Sequence, residues 1–228
     1  MLYYDLHIHS VLSPCSEDEM TIHNIINMAL IKDLDLIAIT DHNSVKQLNA
    51  FREVSKGKIE ILLGVEIQSK EDIHILAYFN KDKDLNEIQN YLDQYLIEEP
   101  NRPEYYGRQV ILDENDEEVG EESRLLISSL ARTTREIIED IHTMGGKAVL
   151  AHVYRKYGYI NHYGELHKDL NIDGVEVHPD DFERFIQEYP EVKDTLILRD
   201  SDAHHLAMIN EPEYEITNEQ YSFLKGEL

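Results

Sequence analysis

The sequence predicts an α/β fold in which seven strands alternate with helices and close into a barrel. Three observations support this prediction. Seven short apolar runs are spread along the chain, helical patterns lie between them, and 228 residues is an ordinary length for a single barrel. Strands that alternate with helices are typical of βα units around a parallel sheet. We therefore expect residues 1–228 to form one domain.

The strand-like runs are apolar almost without interruption, as in LDLIAITDH and IEILLGVEI. A strand with one face in water would instead alternate apolar and polar residues. The runs therefore predict strands that are covered on both faces, as in a parallel sheet. They span Tyr3 to His9, Leu34 to His42, Ile59 to Ile67, Ile73 to Phe79, Lys147 to His152, Gly174 to His178 and Thr195 to Asp202.

Two of the intervening segments carry clear helix signals. The first runs from Thr21 to Lys32, where Thr is a favourable N-cap before a repeat of Ile, Met and Leu. The second runs from Thr134 to Met144, and Gly145 and Gly146 follow it as a stop signal. These helices are the crossovers that a βα repeat requires.

Residues 98–123 interrupt this rhythm. The segment contains Pro100, Pro103 and Gly107, followed by the run QVILDENDEEVGEE. An apolar run, a cluster of Asp and Asn, and then Val and Gly predict a hairpin inserted between two barrel units. We expect it to decorate the barrel or to cover its mouth as a lid, rather than to form a separate domain.

Composition argues against several classes of protein. The 46 acidic and 21 basic residues give a net charge of -25, so long nucleic acid is not an expected partner. The chain has one Cys, no apolar run of membrane-spanning length and no basic segment followed by an apolar one at its start. We expect a soluble, cytoplasmic protein without disulfides or a membrane partner, and the sequence does not indicate its oligomeric state.

Potential metal ligands recur near the ends of the predicted strands. In a β/α barrel the carboxyl ends of the strands meet at one mouth. His7 and His9 are two residues apart on a strand, so both side chains can face the barrel axis. A single such residue is most often a hydrogen-bonded structural group, but clustered imidazoles and carboxylates require cations to hold them together. His74 is an exception, because it lies near the start of its predicted strand. The candidates are His7, His9, Asp41, His42, Glu66, His74, His152, Asp202 and His204.

The runs DLHIHS, AITDHN, GVEI, HILAYF, AH and DSDAH, in this order from Asp5 to His205, resemble the motifs of the PHP (polymerase and histidinol phosphatase) family. This resemblance implies a distorted seven-stranded (β/α) barrel that acts as a phosphoesterase. It also implies two or three divalent metal ions, namely manganese, iron, zinc or magnesium. Transferred residue by residue, the implied metal ligands are His7, His9, His42, Glu66, His74, His152, Asp202 and His204. Glu66 is suited to bridge two ions, because each carboxylate oxygen can bind one of them.

One part of the family pattern is missing. Many family members place an Asp shortly after the second His, in a Ser-Asp-Gly context, whereas this chain has Ser-Pro-Cys ending at Cys15. Counting back from the helix N-cap Thr21 puts Glu17 in that place, with Asp18 next to it. Cys15 is a third possibility, because a thiolate is a good zinc ligand. We predict Glu17 as the additional metal ligand.

The predicted mouth also needs a group that holds an anionic substrate. Arg155 follows His152 by three residues, and a guanidinium can bind phosphate oxygens through two parallel hydrogen bonds. An ion pair on this acidic surface explains Arg155 equally well. Arg155 and Asp202 are the candidate catalytic residues, and Asp41 is predicted to orient the imidazole of His42.

Two or three ions would neutralise phosphate oxygens and lower the pKa of a bound water, giving a metal-bound hydroxide for in-line attack. The sequence therefore predicts a phosphoric monoester hydrolase with a multinuclear metal centre that acts on a small phosphorylated metabolite. An exonuclease-type phosphodiesterase would use the same metals but would need a basic track for the strand. A non-catalytic, metal-binding regulatory module is the other alternative, and the missing acid favours it.

Overall fold

The structure is a computed structural model that describes residues 1–192 and 195–227, so Lys193, Asp194 and Leu228 lie outside the description. The strands are β1 (Leu2–Ile8), β2 (Leu36–Ile39), β3 (Glu60–Gln68), β4 (His74–Phe79), β5 (Val110–Leu112), β6 (Glu118–Glu121), β7 (Lys147–Leu150), β8 (Gly174–Glu176), β9 (Leu196–Leu198) and β10 (Glu215–Ile216). The helices are α1 (Ile22–Ile31), α2 (Leu48–Ser55), α3 (Leu85–Tyr95), α4 (Pro103–Tyr106), α5 (Thr134–Thr143), α6 (Tyr159–Tyr163), α7 (Phe182–Glu188) and α8 (Asn218–Leu224).

The main sheet has eight strands in the order β10-β1-β2-β3-β4-β7-β8-β9. The predicted count of seven is therefore wrong, because the short β10 pairs antiparallel with the start of β1. The sheet curls until the chain beyond β9 returns to β1. There the His9 N–H donates to the Ala203 carbonyl at 2.9 Å, and the Ala203 N–H donates to the His7 carbonyl at 3.0 Å. The segment that follows the last barrel strand thus meets the first strand at one side of the sheet.

The prediction of a parallel sheet is wrong at β4, which runs antiparallel to both of its neighbours, β3 and β7. Only the turn at residues 69–73 joins β3 to β4, which is too short for a parallel crossover. The start of β4 consequently lies beside the carboxyl end of β3, where Gln68 pairs with His74. This reversal brings His74 to the same mouth as the ends of the parallel strands.

Alternation along the strands separates an apolar interior from a polar mouth. Leu62 on β3 and Leu76 on β4 belong to the apolar cluster inside the curl, and residues two apart share a face. Glu66 therefore faces inward at the mouth. On β1, Leu6 also faces inward, so a regular strand would point His7 outward. The pairing of β1 with β2 is irregular between Asp5 and Ile8, and His7 reaches the interior site.

The segment at residues 98–123 contains α4 and the two-stranded antiparallel sheet of β5 and β6. Its turn residue Asp116 reaches the N-terminus of α1, where its carboxylate accepts hydrogen bonds from the Ile22 N–H and the Thr21 hydroxyl. Thr21 itself makes no side-chain capping bond. Asp116 therefore satisfies the free N–H groups that Thr21 was expected to cap. None of the helices among the described residues has the length and apolar character needed to cross a membrane.

Candidate metal centre

A buried carboxylate, that of Glu66, lies at the centre of the mouth. Five imidazoles from four different segments of the chain each have a ring nitrogen within 3.4 Å of this carboxylate. Glu66 Oε1 lies 2.8 Å from His74 Nδ1, 3.1 Å from His152 Nε2 and 3.3 Å from His7 Nε2. Glu66 Oε2 lies 3.0 Å from His42 Nδ1 and 3.4 Å from His9 Nε2. Each carboxylate oxygen thus faces its own group of nitrogen donors, which is the arrangement that a bridging carboxylate needs.

The segment after β9 closes the site from the opposite side. Asp202 Oδ1 lies 3.3 Å from His9 Nε2 and 3.4 Å from His7 Nε2. The His204 ring stacks on the His9 ring with their centroids 4.3 Å apart. One site therefore combines residues from the first strand, from β3, β4 and the end of β7, and from the segment beyond β9.

Hydrogen bonds outside the cluster fix which ring nitrogens carry protons. His7 Nδ1 lies 2.7 Å from Glu176 Oε2, and His204 Nδ1 lies 2.8 Å from the Asp202 carbonyl oxygen. Both oxygens are acceptors, so each Nδ1 donates a proton and each Nε2 keeps a lone pair when the ring is neutral. Partners of this kind are what orient metal-binding histidines in proteins.

The tautomer of His9 is fixed in a similar way, through a hydroxyl that lies between the ring and a carboxylate. Its Nδ1 lies 3.1 Å from the Ser13 hydroxyl, which donates its own proton to Asp41 Oδ1 at 2.8 Å. The Ser13 oxygen therefore accepts from His9, and His9 Nε2 keeps its lone pair. Asp41 thus acts on His9 through Ser13, whereas we expected it to orient His42.

The Nε2 atoms of His7 and His9, which carry lone pairs when both rings are neutral, lie 3.1 Å apart. Two acceptors at this distance repel unless a proton or a cation lies between or beside them. Glu66 and Asp202 supply negative charge at the same point. Imidazole nitrogens and carboxylate oxygens are donors that zinc, iron and manganese accept, so the residues present fit a divalent metal centre.

The pKa shifts follow from burial and from this clustering. Burial would raise the pKa of Glu66, but His74, His7 and His42 lower it well below its usual range. Burial would also raise the pKa of Asp202, but His7 and His9 outweigh burial and hold that pKa low. Burial together with His204 and His42 lowers the pKa of His9, which favours its neutral, ligand-competent form. The carboxylates therefore stay ionised and attract cations.

The backbone is strained at two of these residues. His152 has φ 28° and Asp202 has φ 52°, both in the left-handed region that residues with a Cβ rarely adopt. Gly158 packs so closely on the first of them that a Cβ there would lie 2.3 Å from the His152 carbonyl oxygen. Strain of this kind, about 1 to 3 kcal/mol per residue, concentrates at functional sites.

A cavity of about 430 Å³ opens beside the cluster and is lined by His42, Glu66, His74, His152, Asp202 and His204 on its inner side. Arg155, Lys156 and Tyr157 line its outer side, and the Tyr157 ring stacks on His74 at 4.6 Å. Within residues 1–192 and 195–227 the exposed Arg155 side chain makes no hydrogen bond or ion pair. The alternative of a surface ion pair is therefore not realised among these residues, and the guanidinium is available to an anion in the cavity.

The structure brings together eight of the predicted metal ligands but not Glu17. Glu17 is exposed and is not among the cavity-lining residues, although its backbone N–H donates to the His204 carbonyl at 2.9 Å. Cys15, which is accessible to solvent, lines the cavity instead, with its thiol within hydrogen-bond reach of His42 and His204. Burial raises the pKa of this thiol, but His42 and His204 outweigh it and lower the pKa to about 6.

Sequence reasoning missed Glu176, the buried partner of His7. Its signal was present, because GVEVH places an acid on a barrel strand among apolar residues. The more conspicuous His178 in the same run is half-buried, accepts a hydrogen bond from the Asp180 N–H at 3.3 Å and lies 3.5 Å from the Asp180 carboxylate.

Comparison with known proteins points to one family. The PHP domain model matches residues 5–210, and no curated protein matches the sequence. A protein of Bifidobacterium adolescentis classed as a metal-dependent phosphoesterase superposes with a TM-score of 0.68 at 18% identity, covering 97% of this chain and 94% of that one. An amidohydrolase from Chromobacterium violaceum, with bound sulfate and no metal, gives a TM-score of 0.62 at 16% identity, covering 95% and 92%.

A third similar structure is endonuclease Q, solved with a 27-mer duplex that carries an abasic lesion at the active site. It gives a TM-score of 0.64 at 20% identity and covers 90% of this chain but 49% of the endonuclease. The chain therefore spans about half the length of that enzyme. At these identities the three likenesses establish a shared fold.

Proposed function

This chain belongs to the PHP domain family, and on that premise we propose that it is a metal-dependent phosphoesterase that releases phosphate from a small phosphorylated metabolite. The observation that carries the proposal is the pair of Nε2 atoms of His7 and His9, which face each other at 3.1 Å between two ionised carboxylates. Such a donor set is stable when it binds cations. We further propose that residues 1–228 act as a single domain.

Each part of the chain would have a defined task. Glu66 and Asp202 would supply oxygen ligands, with His7, His74 and His152 on the side of Glu66 Oε1 and His9 and His42 on the side of Oε2. Two or three divalent ions bound there would neutralise phosphate oxygens and activate a water for in-line attack. The left-handed backbone at His152 and Asp202 would hold these two side chains in place before substrate arrives.

The outer side of the cavity would select the substrate. Arg155 and Lys156 place two positive charges at the rim in a protein of net charge -25. They would bind the phosphate of a substrate whose size fits a cavity of about 430 Å³, which is within the usual range for small-molecule sites. The surrounding negative field would repel long polyanions.

A nuclease is the second candidate, and the likeness to endonuclease Q favours it. The same metals cleave phosphodiesters, so the cluster itself is compatible with either reaction. The argument against a nuclease is electrostatic, because strand binding relies on a basic track and loses affinity steeply without one. The abundance of acidic residues leads us to prefer a monoester.

One assay separates these functions. Metal-depleted protein is reloaded with manganese, iron, zinc or magnesium and offered small phosphomonoesters, single-stranded DNA and an abasic duplex. We expect phosphate release from a monoester and no release by His9→Ala, in which a nitrogen donor is removed. Cleavage of DNA alone would establish the nuclease instead. Bound metal without any hydrolysis would identify a metal-binding regulatory module and contradict the proposal.

A further inference from the structure

Cys15 occupies the position at the metal centre where the sequence lacks the expected acid. It lies in the loop between β1 and α1 and lines the same cavity as His42 and His204. Its thiol is within hydrogen-bond reach of both imidazoles. No other cysteine exists in the chain. A sulfur donor therefore stands at one end of an otherwise nitrogen- and oxygen-donor cluster.

The imidazoles around Cys15 are themselves arranged as ligands. Ring nitrogens of His9, His42 and His204 all lie within 4.8 Å of one another. Among the described residues, Nδ1 of the buried His42 makes no hydrogen bond, because its approach to Glu66 Oε2 at 3.0 Å lacks hydrogen-bond geometry. His204 keeps the lone pair on Nε2, because its Nδ1 donates to the Asp202 carbonyl. A buried nitrogen that makes no hydrogen bond and a lone pair on His204 Nε2, both beside a thiol, indicate that the group bound here is a cation.

The backbone holds Cys15 in this place by bonds on both sides of it. The Ser16 N–H donates to the Ser13 carbonyl at 3.0 Å, and the Glu17 N–H donates to the His204 carbonyl at 2.9 Å. The second bond ties the loop directly to the segment that carries His204. The same turn leaves the Glu17 side chain exposed. The chain is therefore folded so that the residue two before the predicted one reaches the cluster.

We propose that the Cys15 thiolate is a metal ligand and that, with His42 and His204, it makes one end of the metal centre a sulfur and nitrogen site that prefers zinc. The inference rests on the proposed function only in requiring a metal centre. Thiolate and imidazole donors favour zinc and cobalt, whereas magnesium and manganese favour oxygen donors. The other end, around Glu66 and Asp202, is richer in oxygen. The centre would thus hold chemically different ions at its two ends.

Cobalt substitution tests the ligand directly. A thiolate bound to Co²⁺ gives an intense near-ultraviolet charge-transfer absorption that nitrogen and oxygen ligands do not give. Because Cys15 is the single cysteine, such a band in this protein can arise only from it. Metal-depleted protein comprising residues 1–228 is titrated with Co²⁺ while absorbance and bound cobalt are measured together. We expect the band to appear and then to be lost when zinc displaces the cobalt, but to persist in excess magnesium.

Three variants give the comparison. Cys15→Ser should lose the band and bind about one ion fewer per chain, since a hydroxyl is a poor replacement for a thiolate. Cys15→Asp should recover the ion without the band, because a carboxylate also binds divalent metals. Glu17→Gln should keep both the band and the cobalt content, because its side chain is exposed and outside the cavity lining. Circular dichroism of each variant shows that the fold is retained.

The outcomes separate the two proposals. Full cobalt content without the band in the wild-type protein overturns the ligand assignment and leaves the phosphoesterase proposal standing. The ligand assignment also fails if Cys15→Ser keeps its full cobalt content, or if Glu17→Gln alone loses an ion. A clear band in a protein that hydrolyses no phosphoester supports the ligand and overturns the proposed function. Failure to bind any cobalt overturns both.

Discussion

Glu176 accepts a hydrogen bond from His7 Nδ1 at 2.7 Å, and both side chains are buried. The bond fixes the tautomer of His7 and directs Nε2 toward Glu66 and Asp202, which lie 3.3 and 3.4 Å away. Burial lowers the pKa of His7, but Glu176 and Asp202 outweigh it and raise the pKa above its usual range. Glu176 therefore orients His7 without being one of the cavity-lining residues.

Replacing this carboxylate tests its positioning role. Glu176→Gln should weaken metal binding about 10- to 100-fold, because a neutral amide holds the His7 proton less firmly and lowers the basicity of Nε2. Competition with a chelator of known affinity measures the change. Glu183→Gln on α7, an exposed position, is the matched control. Equal metal affinity in the two variants would show that the bond to His7 is merely structural.

The sequence identified eight side chains of this cluster but misjudged the direction of one strand. Apolar runs such as HILAYF predict a strand, yet they carry no information on whether it runs parallel or antiparallel. His74 therefore looked misplaced at the start of its strand. The short turn at residues 69–73 determines the direction of β4, because it permits an antiparallel pairing with β3 but is too short for a crossover to a parallel strand.

Glu17 lies outside the cavity lining, which includes Cys15, for a different reason. Counting back from the helix start assumes that the loop runs evenly toward the helix. Instead, turns between Ser10 and Ser13 and between Ser13 and Ser16 shorten it. The hydroxyl of the N-cap Thr21 donates a hydrogen bond to Asp116 of the inserted hairpin, which is almost a hundred residues away in the sequence. Contacts over such distances leave no local pattern in the sequence.

Metal binding should stabilise the fold measurably. Ligands that bind only the native state add about 2.7 kcal/mol to the free energy of unfolding when free ligand is 100-fold above its Kd. The Tm should therefore rise with added zinc or manganese and fall with chelator. In His9→Ala the rise should shrink, whereas His162→Ala, on the exposed face of α6, should respond like wild type. A Tm that does not change with added metal or chelator would contradict a metal centre.

Arg155 should govern substrate binding rather than metal content. A charge-assisted hydrogen bond contributes about 1.5 to 3 kcal/mol, which corresponds to about 10- to 100-fold in affinity. Arg155→Ala should accordingly raise the KM for a phosphomonoester by that factor, and Arg155→Lys should restore part of it. Bound metal should stay constant in both. Arg135→Ala, which removes a surface ion pair with Asp169, is the control. An unchanged KM in Arg155→Ala would exclude the residue from the substrate site.

The acid stability of the protein should depend on Glu122. Burial raises the pKa of this carboxyl, but hydrogen bonds from Lys46 and Arg124 outweigh it and lower the pKa to about 2. Because the pKa is lower in the folded state than in the unfolded one, the group stabilises the fold fully above about pH 4.5 and loses that contribution as the pH falls toward 2. Glu122→Gln should therefore flatten the loss of Tm over this interval, while exposed Glu114→Gln should not. Identical acid profiles in the two variants would refute the assignment.

The inserted segment should also control the loop that carries Cys15. Gly107 has φ 101° and packs so closely on the loop that a Cβ would lie 2.0 Å from the Pro14 carbonyl oxygen. The Val110 N–H, three residues on, donates to the Val11 carbonyl at 3.0 Å and holds the two segments together. Any side chain at position 107 must therefore displace either the insert or the residue next to Cys15.

Gly57 provides a matched comparison, because it has φ 71° and a Cβ there would meet no atom within 4 Å. Gly57→Ala should cost only the left-handed strain of about 1 kcal/mol and leave the metal centre intact. Gly107→Ala should cost more and, in addition, weaken the cobalt-thiolate absorption, because the contact with Pro14 pushes Cys15 away from His42 and His204. Urea unfolding and the cobalt spectrum of both variants separate strain from displacement. If Gly107→Ala loses stability but keeps the full absorption, the insert supports the fold without positioning the ligand.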